Sequence, residues 1–412
     1  MTLLINPTRF KQDFDALAQI GSTGDGGVSR PALSEAHLDA RRWWQARARE
    51  AGLETQVDSA GNVSAILQSP REASNSPTLL LGSHTDSVPN GGRFDGALGL
   101  LAALEVLRTV KEAGLSLPVH LEAIDFTDEE GTLVGLLGSS AIAGTLTPAK
   151  LQNPRGGRAA LEAGLSRAGL TEEGLLNARR DPKSLAGYLE LHIEQGPRLV
   201  SSAVKIGVVT GIVGIKSYRL AYRGQANHAG TTPMEARADA SLGASAFVLT
   251  ARELVMREYA GCVVNVGQMR FKPGAFNIIP GAAKFALEFR SPDAGQLTDL
   301  EQALLGLAQV VARQYRLKLS AEPLDTCVPA PMSQRAQAAI AAAAESLALS
   351  HTALPSGAGH DAQSLAPLTD AGMIFTPSRD GISHSPLEFS EWEDCVNGAN
   401  VLLRAALKMA ET

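Results

Sequence analysis

A histidine and an aspartate two residues apart, His84 and Asp86, form the first candidate metal-binding segment along the chain. An imidazole can bind a metal ion, and a nearby carboxylate can accept its other ring N–H and so select the tautomer. The following segment, Asn90-Gly-Gly-Arg-Phe-Asp-Gly96, has glycines that allow a tight turn, which could bring Asp95 close to His84. Taken alone, each segment is more typical of an ordinary polar loop.

Three consecutive acidic residues, Asp128, Glu129 and Glu130, form the second candidate. Crowded carboxylates repel each other, and a divalent cation removes that penalty. In this interpretation Glu130 is a metal ligand, while Glu129 points the other way and acts as general acid and base on a metal-bound water. The alternative is a helix N-terminus whose dipole attracts acidic side chains.

Two further histidines, His192 and His384, extend the set. In an extended segment, Glu190, His192 and Glu194 share one face, and His384 is held between serines ahead of Pro386. A lone histidine at either place is more often structural. Two acidic and three histidine ligands together, however, are typical of a carboxylate-bridged dinuclear zinc centre. One aspartate shared by two ions about 3.5–4 Å apart is the usual two-metal arrangement.

The elements that must position these residues alternate along the chain. Apolar runs predict strands at 63–67, 78–82, 119–126 and 372–376, helices at 31–51, 97–111 and 338–349, and a loop at 69–77. Strands alternating with helices predict a largely parallel α/β sheet. The candidate residues follow its strands, where ligands bind in such sheets.

A different pattern begins near Gly211. It predicts strands at 215–222, 263–269, 282–290 and 317–322, and helices at 234–258 and 297–315. The order β-α-β-β-α-β is the ferredoxin-like plan. We therefore expect a catalytic domain formed by residues 1–210 and 329–412, and an inserted domain over residues 211–328.

The composition limits the class of protein. The chain has 412 residues, 44% of them hydrophobic, and a net charge of -6. No block of like charges indicates a nucleic-acid or membrane-surface partner, and no apolar stretch is long enough to span a bilayer. Three separated cysteines fit reduced thiols, so we expect a cytoplasmic protein.

The motifs, taken in order, resemble those of the metal-dependent amidohydrolases of the aminoacylase and carboxypeptidase-G superfamily. More narrowly, the chain is similar to the branch with N-carbamoyl-L-amino acid amidohydrolases, yeast-type β-ureidopropionases and allantoate amidohydrolases. The motifs are GSHTDSVPNGGRFDG (82–96), TDEEG (127–131), HIEQGP (192–197), NHAGTTPM (227–234), NIIPG (277–281), SGAGHDA (356–362) and DGISHSP (380–386). The wider superfamily usually has an acidic ligand at the position of His192, and histidine followed by IEQGP is typical of the ureido branch.

The resemblance implies a zinc-peptidase-like catalytic domain with an inserted ferredoxin-like α+β domain that serves for dimerisation and as a lid. It also implies two divalent metal ions per subunit, with zinc expected first and manganese, cobalt or nickel as alternatives. Asp95 would bridge the ions, His84 and His192 would complete one site, and Glu130 and His384 the other. Asp86 would orient His84, and Glu129 would be the general base.

Substrate contacts are implied as well. Arg290 would pair with the substrate α-carboxylate, because a guanidinium matches a carboxylate in geometry and charge. The residues implied to contact the ureido or carboxylate group are Gln195, His228 and Asn277, and His228 would also stabilise the oxyanion. Gly359 would lie against the substrate, whereas His360 is left out of the metal set. Without the resemblance, Arg290 would be read as part of a surface ion pair, and Asn277 as part of a turn.

The expected reaction is hydrolysis of the ureido C–N bond of an N-carbamoyl-L-amino acid, which releases the amino acid, CO2 and ammonia. The small-molecule substrate could instead be allantoate or 3-ureidopropionate. An aminoacylase or dipeptidase is less well supported because of His192, and a non-catalytic protein or a cysteine-nucleophile amidase fits the motifs poorly. We expect a homodimer formed through residues 211–328. Many relatives carry an aromatic residue where this chain has Thr132-Leu-Val-Gly135, so the side-chain preference is left open.

Overall fold

The computed structural model describes residues 3–69 and 76–411, so most of the loop predicted at 69–77 lies outside the described residues. The chain divides into two compact units, one formed by Met1–Thr210 and Pro331–Thr412 and the other by Gly211–Ala330.

The strands and helices are numbered along the chain. The strands are β1 Glu54–Val57, β2 Val63–Leu67, β3 Thr78–His84, β4 His120–Phe126, β5 Leu185–Ile193, β6 Ile206–Ile212, β7 Gly214–Arg223, β8 Val263–Lys272, β9 Ala282–Ser291, β10 Lys318–Cys327, β11 Ala330–Pro331, β12 His351–Ser356 and β13 Ala371–Thr376. The helices are α1 Pro7–Leu17, α2 Glu35–Glu50, α3 Ala97–Glu112, α4 Leu137–Ala143, α5 Pro148–Gln152, α6 Arg158–Ala168, α7 Glu172–Leu176, α8 Arg198–Ser202, α9 Ala240–Glu258, α10 Ala294–Gln314, α11 Gln334–Ser346, α12 Asp361–Leu365 and α13 Trp392–Glu411. Within the described ranges, no helix is both long and apolar enough to cross a membrane.

The first unit is built on a mixed sheet with the strand order β1-β2-β4-β3-β5-β13-β6-β11, and β12 also pairs with β6. Its centre, β4-β3-β5-β13, is parallel. Leu79, Leu80 and Leu81 of β3 are fully buried, as expected for a strand covered on both faces. The predicted α/β fold is confirmed.

The parallel centre determines where the candidate residues lie. Strands β3, β4, β5 and β13 end at His84, Phe126, Ile193 and Thr376, all at one edge of the sheet. Strand β3 continues two residues beyond its predicted end, because Ser83 and His84 stay paired with β4. The loops that follow these strands therefore meet at this edge.

The second unit contains an antiparallel sheet with the strand order β10-β7-β9-β8. Residues of this sheet and of helices α9 and α10 form a hydrophobic core within the unit. The elements follow the β-α-β-β-α-β order, and alternate residues of β9 are buried. Helix α9 begins at Ala240 and not at Met234, because Met234–Ala236 forms a short 3-10 turn and Asp239 caps the helix through the N–H of Ser241.

Candidate metal centre

The carboxylate of Asp95 lies between three histidines at the edge of the sheet. Its Oδ1 is 3.0 Å from Nε2 of His192 and 3.6 Å from Nε2 of His84, and its Oδ2 is 3.3 Å from Nε2 of His384. Asp95, His84 and His192 are buried, whereas 52% of the His384 side chain is exposed. One carboxylate thus faces imidazoles on both of its oxygens.

The two buried histidines are oriented by backbone carbonyl groups. Nδ1 of His84 lies 3.0 Å from the carbonyl oxygen of Asp86, and Nδ1 of His192 lies 2.9 Å from that of Ile193. A carbonyl oxygen only accepts hydrogen bonds, so each Nδ1 carries the proton. The Nε2 atoms that face Asp95 are then the ones available to a metal ion.

Glu130 and His384 complete a second group around the other oxygen of Asp95. Oε2 of Glu130 lies 3.3 Å from Nε2 of His384. The backbone of His384 has a positive φ of 54°, which is uncommon for a residue other than glycine. With this backbone conformation, the His384 ring lies beside Asp95 and Glu130.

The turn that delivers Asp95 depends on Gly96. This residue has a φ of 65°, and a side chain there would overlap the imidazole of His84. Helix α3 begins immediately afterwards at Ala97. Glycine at this position therefore lets the turn pass directly against a metal-ligand candidate.

Among the described residues, three groups of side chains could each hold a metal ion, and two of them share Asp95: His84, Asp95 and His192, and Asp95, Glu130 and His384. Nε2 of His84 is buried without a hydrogen-bond partner, which is costly unless a ligand satisfies it. Imidazole nitrogens and carboxylate oxygens suit zinc and related divalent ions. These residues fit a metal centre.

The charged side chains of the cluster shift one another's pKa values. Burial opposes ionisation of Asp95, but the neighbouring imidazoles of His192, His384 and His84 outweigh it and hold the pKa of Asp95 well below its usual value. The hydrogen bond to Asp95 raises the pKa of His384 to about 9. Burial, reinforced by the charge of Asp95, raises the pKa of Glu130 to about 7. The surroundings thus favour positive charge between these side chains.

Glu129 lies beside the same centre. Its Oε2 is 3.6 Å from Nε2 of His84. Burial, with repulsion from Asp361, Glu130 and Asp95, raises the pKa of Glu129 well above its usual value. A raised pKa makes the Glu129 carboxylate a stronger proton acceptor, as a general base requires.

Asp86 supports the centre in a different way from the one predicted. Its carboxylate was expected to bind the His84 ring, but Oδ1 lies 3.8 Å from Nδ1, and the ring nitrogen contacts the Asp86 carbonyl oxygen instead. The carboxylate accepts the backbone N–H groups of Glu129 and Glu130, at 3.3 and 3.2 Å. Asp86 therefore holds the loop that carries the general-base candidate.

Asp128, the first residue of the acidic run, turns away from its neighbours. With a φ of 55°, it accepts the backbone N–H groups of Leu133, Val134 and Gly135. Its carboxylate is thus satisfied within its own loop, and only Glu129 and Glu130 face the centre.

The residues expected to bind substrate fall into both units. In the first unit, Gln195 donates its side-chain amide to Oδ2 of Asp95 at 2.7 Å, and Gly359 precedes His360 in the loop after β12. His228, Asn277 and Arg290 belong to the second unit. His228 and Asn277 are exposed and adjoin, since the N–H of Ala229 donates to the Asn277 carbonyl oxygen, whereas Arg290 is half-buried and pairs with Glu288 at 2.8 Å.

Several polar residues around the centre were not predicted from the sequence. Glu388 accepts the N–H groups of Phe94 and Asp95. His360, which was left out of the metal set, has its ring centroid 4.5 Å from that of His192, and it joins Glu190 and His192 in a third group of potential ligands. The only sequence signal for Glu388 was its place four residues after His384.

Comparisons with known proteins identify relatives that match most of the chain. A family model described as peptidase family M20/M25/M40 matches residues 80–408. The chain is 37% identical over 412 residues to an N-carbamoyl-L-amino acid amidohydrolase of Geobacillus stearothermophilus, covering 99% of this chain and 100% of that protein. It is 33% identical to the allantoate amidohydrolase of Bacillus subtilis, covering 96% and 95%. The solved structure of a hydantoinase/carbamoylase family amidase from Burkholderia multivorans matches all of both chains with a TM-score of 0.91 and 34% identity.

Proposed function

This chain belongs to peptidase family M20/M25/M40, whose members are metal-dependent hydrolases, and we propose that it hydrolyses the ureido C–N bond of N-carbamoyl-L-amino acids. The products would be the amino acid, CO2 and ammonia. The observation that carries the proposal is His192, which stands 3.0 Å from the shared aspartate and begins the HIEQGP motif of the ureido branch. The N-carbamoyl-L-amino acid amidohydrolase among the relatives supports the same substrate class.

The proposal includes two divalent ions, with zinc first, held by the two groups that share Asp95. When bound, such ions supply an activated water and polarise the carbonyl group under attack. His84 and His192 present Nε2 to one position, since their Nδ1 protons are held by carbonyl groups. Glu130 and His384 face the other.

Glu129 is the proposed proton carrier. It would take a proton from the attacking water and return it to the nitrogen of the departing amino acid. The raised pKa of Glu129 supports this role, because a more basic carboxylate accepts a proton more readily. The bonds from Asp86 to the N–H groups of Glu129 and Glu130 support this role by fixing the backbone at the base.

His228 is the proposed oxyanion stabiliser. Its Nδ1 accepts the N–H groups of Gly230 and Thr231, at 3.1 and 3.2 Å, so the ring proton lies on Nε2. Nε2 can therefore donate to a developing negative charge. Asn277 and Gln195 would hold the ureido group, and Arg290 would exchange its pairing with Glu288 for the substrate carboxylate.

A homodimer through residues 211–328, in which this unit also serves as a lid, is part of the proposal. Helix α9 carries exposed Leu242, Leu249 and Met256 at intervals of seven residues, which form one apolar stripe. Strand β8 lies at the edge of its sheet and exposes Val263 and Phe271. Exposed apolar stripes and open sheet edges are the features that subunit contacts cover. A cytoplasmic location remains part of the proposal because of the low cysteine count.

The second candidate is allantoate hydrolysis, favoured by the similarity to an allantoate amidohydrolase. Allantoate is also a ureido acid, so the same centre and the same Glu129 would serve. The two candidates differ in the group that lies beside the ureido nitrogen.

Ammonia release from a panel of substrates tests the proposal. The metal-loaded protein would be given N-carbamoyl-L- and D-amino acids, 3-ureidopropionate and allantoate, with amino-acid release from N-acetyl-L-amino acids assayed alongside. Selective turnover of the N-carbamoyl-L-amino acids supports the first candidate, and turnover of allantoate alone supports the second. Turnover of only the N-acetyl substrates would contradict both. A chelator should abolish activity and a thiol-blocking reagent should not.

A further inference from the structure

We propose that Glu388 is a positioning residue for the metal centre: through Ser383, it keeps one oxygen of Asp95 free of hydroxyl protons and available to a metal ion. The inference rests on the proposed pair of ions that share Asp95. It concerns a residue outside both groups of potential ligands.

Glu388 is buried directly behind the turn that carries Asp95. Its Oε1 accepts the N–H groups of Phe94 and Asp95, at 2.9 and 3.0 Å. Gly92 passes so close that any side chain there would overlap the Glu388 carboxylate. One carboxylate oxygen thus fixes the backbone at the shared aspartate, because two amides converge on it.

The other oxygen of Glu388 competes with Asp95 for a single proton. The hydroxyl oxygen of Ser383 lies 2.7 Å from Oε2 of Glu388 and 3.0 Å from Oδ2 of Asp95. A serine hydroxyl has one proton to donate, so it can serve only one of the two carboxylates at a time. The side-chain amide of Gln195 donates both to Oδ2 of Asp95, at 2.7 Å, and to the Ser383 hydroxyl, at 3.2 Å, so one acceptor position of each oxygen is already occupied.

The shorter distance and the needs of the metal centre favour Glu388 as the acceptor. Oδ2 is the oxygen of Asp95 that faces His384, at 3.3 Å, and therefore the Glu130–His384 group. If the Ser383 proton pointed at Oδ2, it would occupy a lone pair beside that group and reduce the negative charge offered to an ion. Mutation of a residue that holds a metal ligand in this way commonly lowers metal affinity by about 10- to 100-fold.

The substitution Glu388→Gln reverses the direction of this hydrogen bond. The glutamine oxygen can still accept the N–H groups of Phe94 and Asp95, but its NH2 group would donate to the Ser383 hydroxyl. That hydroxyl would then direct its own proton to Oδ2 of Asp95. We expect the affinity for the ion at the Glu130–His384 group to fall by about 10- to 100-fold, while the affinity for the ion at His84 and His192 stays close to normal.

Competition titration with a chromogenic chelator, using zinc alone, measures the affinity of each ion without substrate. Cobalt-loaded samples add a visible absorption spectrum that reports the ligands of each site. The double variant Glu388→Gln with Ser383→Ala removes the competing proton and should recover most of the lost affinity, which a general loss of packing would not do. Glu391→Gln, an exposed neighbour paired with Arg379, is the matched control and should bind both ions normally.

Two results would overturn the inference. In the first, Glu388→Gln binds both ions as tightly as the wild type does. In the second, Glu388→Gln binds both ions less tightly by the same factor, and the double variant recovers none of the lost affinity. If the wild-type protein binds no pair of ions, the proposed metal centre fails together with it. If the pair binds but no ureido acid is hydrolysed, only the proposed activity fails.

Discussion

Asp86 accepts the backbone N–H of Glu129 on its buried carboxylate, with a distance of 3.3 Å between N and Oδ1. The two residues follow neighbouring parallel strands, β3 and β4, so this bond joins the loop of the His84 ligand to the loop of the proposed base. A change in either loop is therefore transmitted to both the metal centre and the proton carrier.

Replacing Glu129 with glutamine should separate metal binding from catalysis. The amide keeps the shape of the side chain but cannot take a proton, so we expect kcat to fall by about 10²- to 10⁴-fold while two ions remain bound. Steady-state kinetics and metal analysis of the same sample provide the measurement. Glu173→Gln, at an exposed position, should be normal, and a near-normal kcat for Glu129→Gln would refute the assignment.

Gly96→Ala and Gly169→Ala can be compared because both glycines have a positive φ, of 65° and 68°, but only Gly96 lies against His84. Alanine at position 169 meets open space, so it should cost only about 1–2 kcal/mol for the left-handed backbone. Alanine at position 96 would also displace the His84 ring, and we expect a loss of metal affinity of about 10- to 100-fold. Chelator competition distinguishes them, and equal metal affinity in both variants would contradict the close-packing argument.

Metal affinity should increase with pH. An ion must displace the proton of Glu130, whose pKa is raised to about 7, and of His384, whose pKa is raised to about 9. Because both values are raised, protons compete more strongly below these pH values, and affinity should rise from pH 6 to 9 and then level off. Zinc titrations at several pH values measure this, and affinity that stays constant over that range would rule it out.

Arg41 should be essential to the stability of the first unit. The guanidinium and the Asp125 carboxylate are both buried, with Nε 3.2 Å from Oδ2, and Asp125 also holds the N–H and the hydroxyl of Thr85 beside His84. Arg41→Ala removes the guanidinium that is paired with this buried carboxylate, so we expect a loss of about 3–5 kcal/mol in the free energy of unfolding. Urea denaturation measures it.

The adjacent Arg42 provides the control for that measurement. Its side chain is exposed and pairs with Asp39 within one helical turn. Arg42→Ala should cost less than about 1 kcal/mol, as exposed ion pairs do. Similar losses in the two variants would mean that burial of the Arg41–Asp125 pair does not matter.

The apolar stripe on α9 should determine the oligomeric state. Leu249 is 64% exposed and Met256 is 68% exposed, and a lysine at both positions would place two charges in the proposed subunit contact. We expect the double variant to sediment as a monomer where the wild type sediments as a dimer. Leu115→Lys, at an exposed position in the other unit, should leave the dimer intact. A dimer that survives both substitutions on α9 would place the contact elsewhere.

The sequence predicted features that depend on local patterns. Short apolar runs such as Thr78–Gly82 predicted the strands, because burial on both faces requires continuous apolar residues. Polar residues directly after those strands predicted the edge where chemistry would take place, since parallel strands end at the same edge. The position of α9 was less accurate, because the start of a helix depends on a cap such as Asp239 and not on periodicity.

Only the tertiary structure decided which polar groups form hydrogen bonds with one another. Glu388 binds the N–H of Phe94 across 294 positions of sequence, and Asp86 binds that of Glu129 across 43. The composition of each segment cannot reveal such partners, because a buried carboxylate takes whichever donors the neighbouring strands bring to it. The sequence by itself therefore determined the kinds of side chain available and the sheet edge that carries them. The packing of loops from distant segments determined which carboxylates face the metal groups and which, like Glu388, hold the backbone in place.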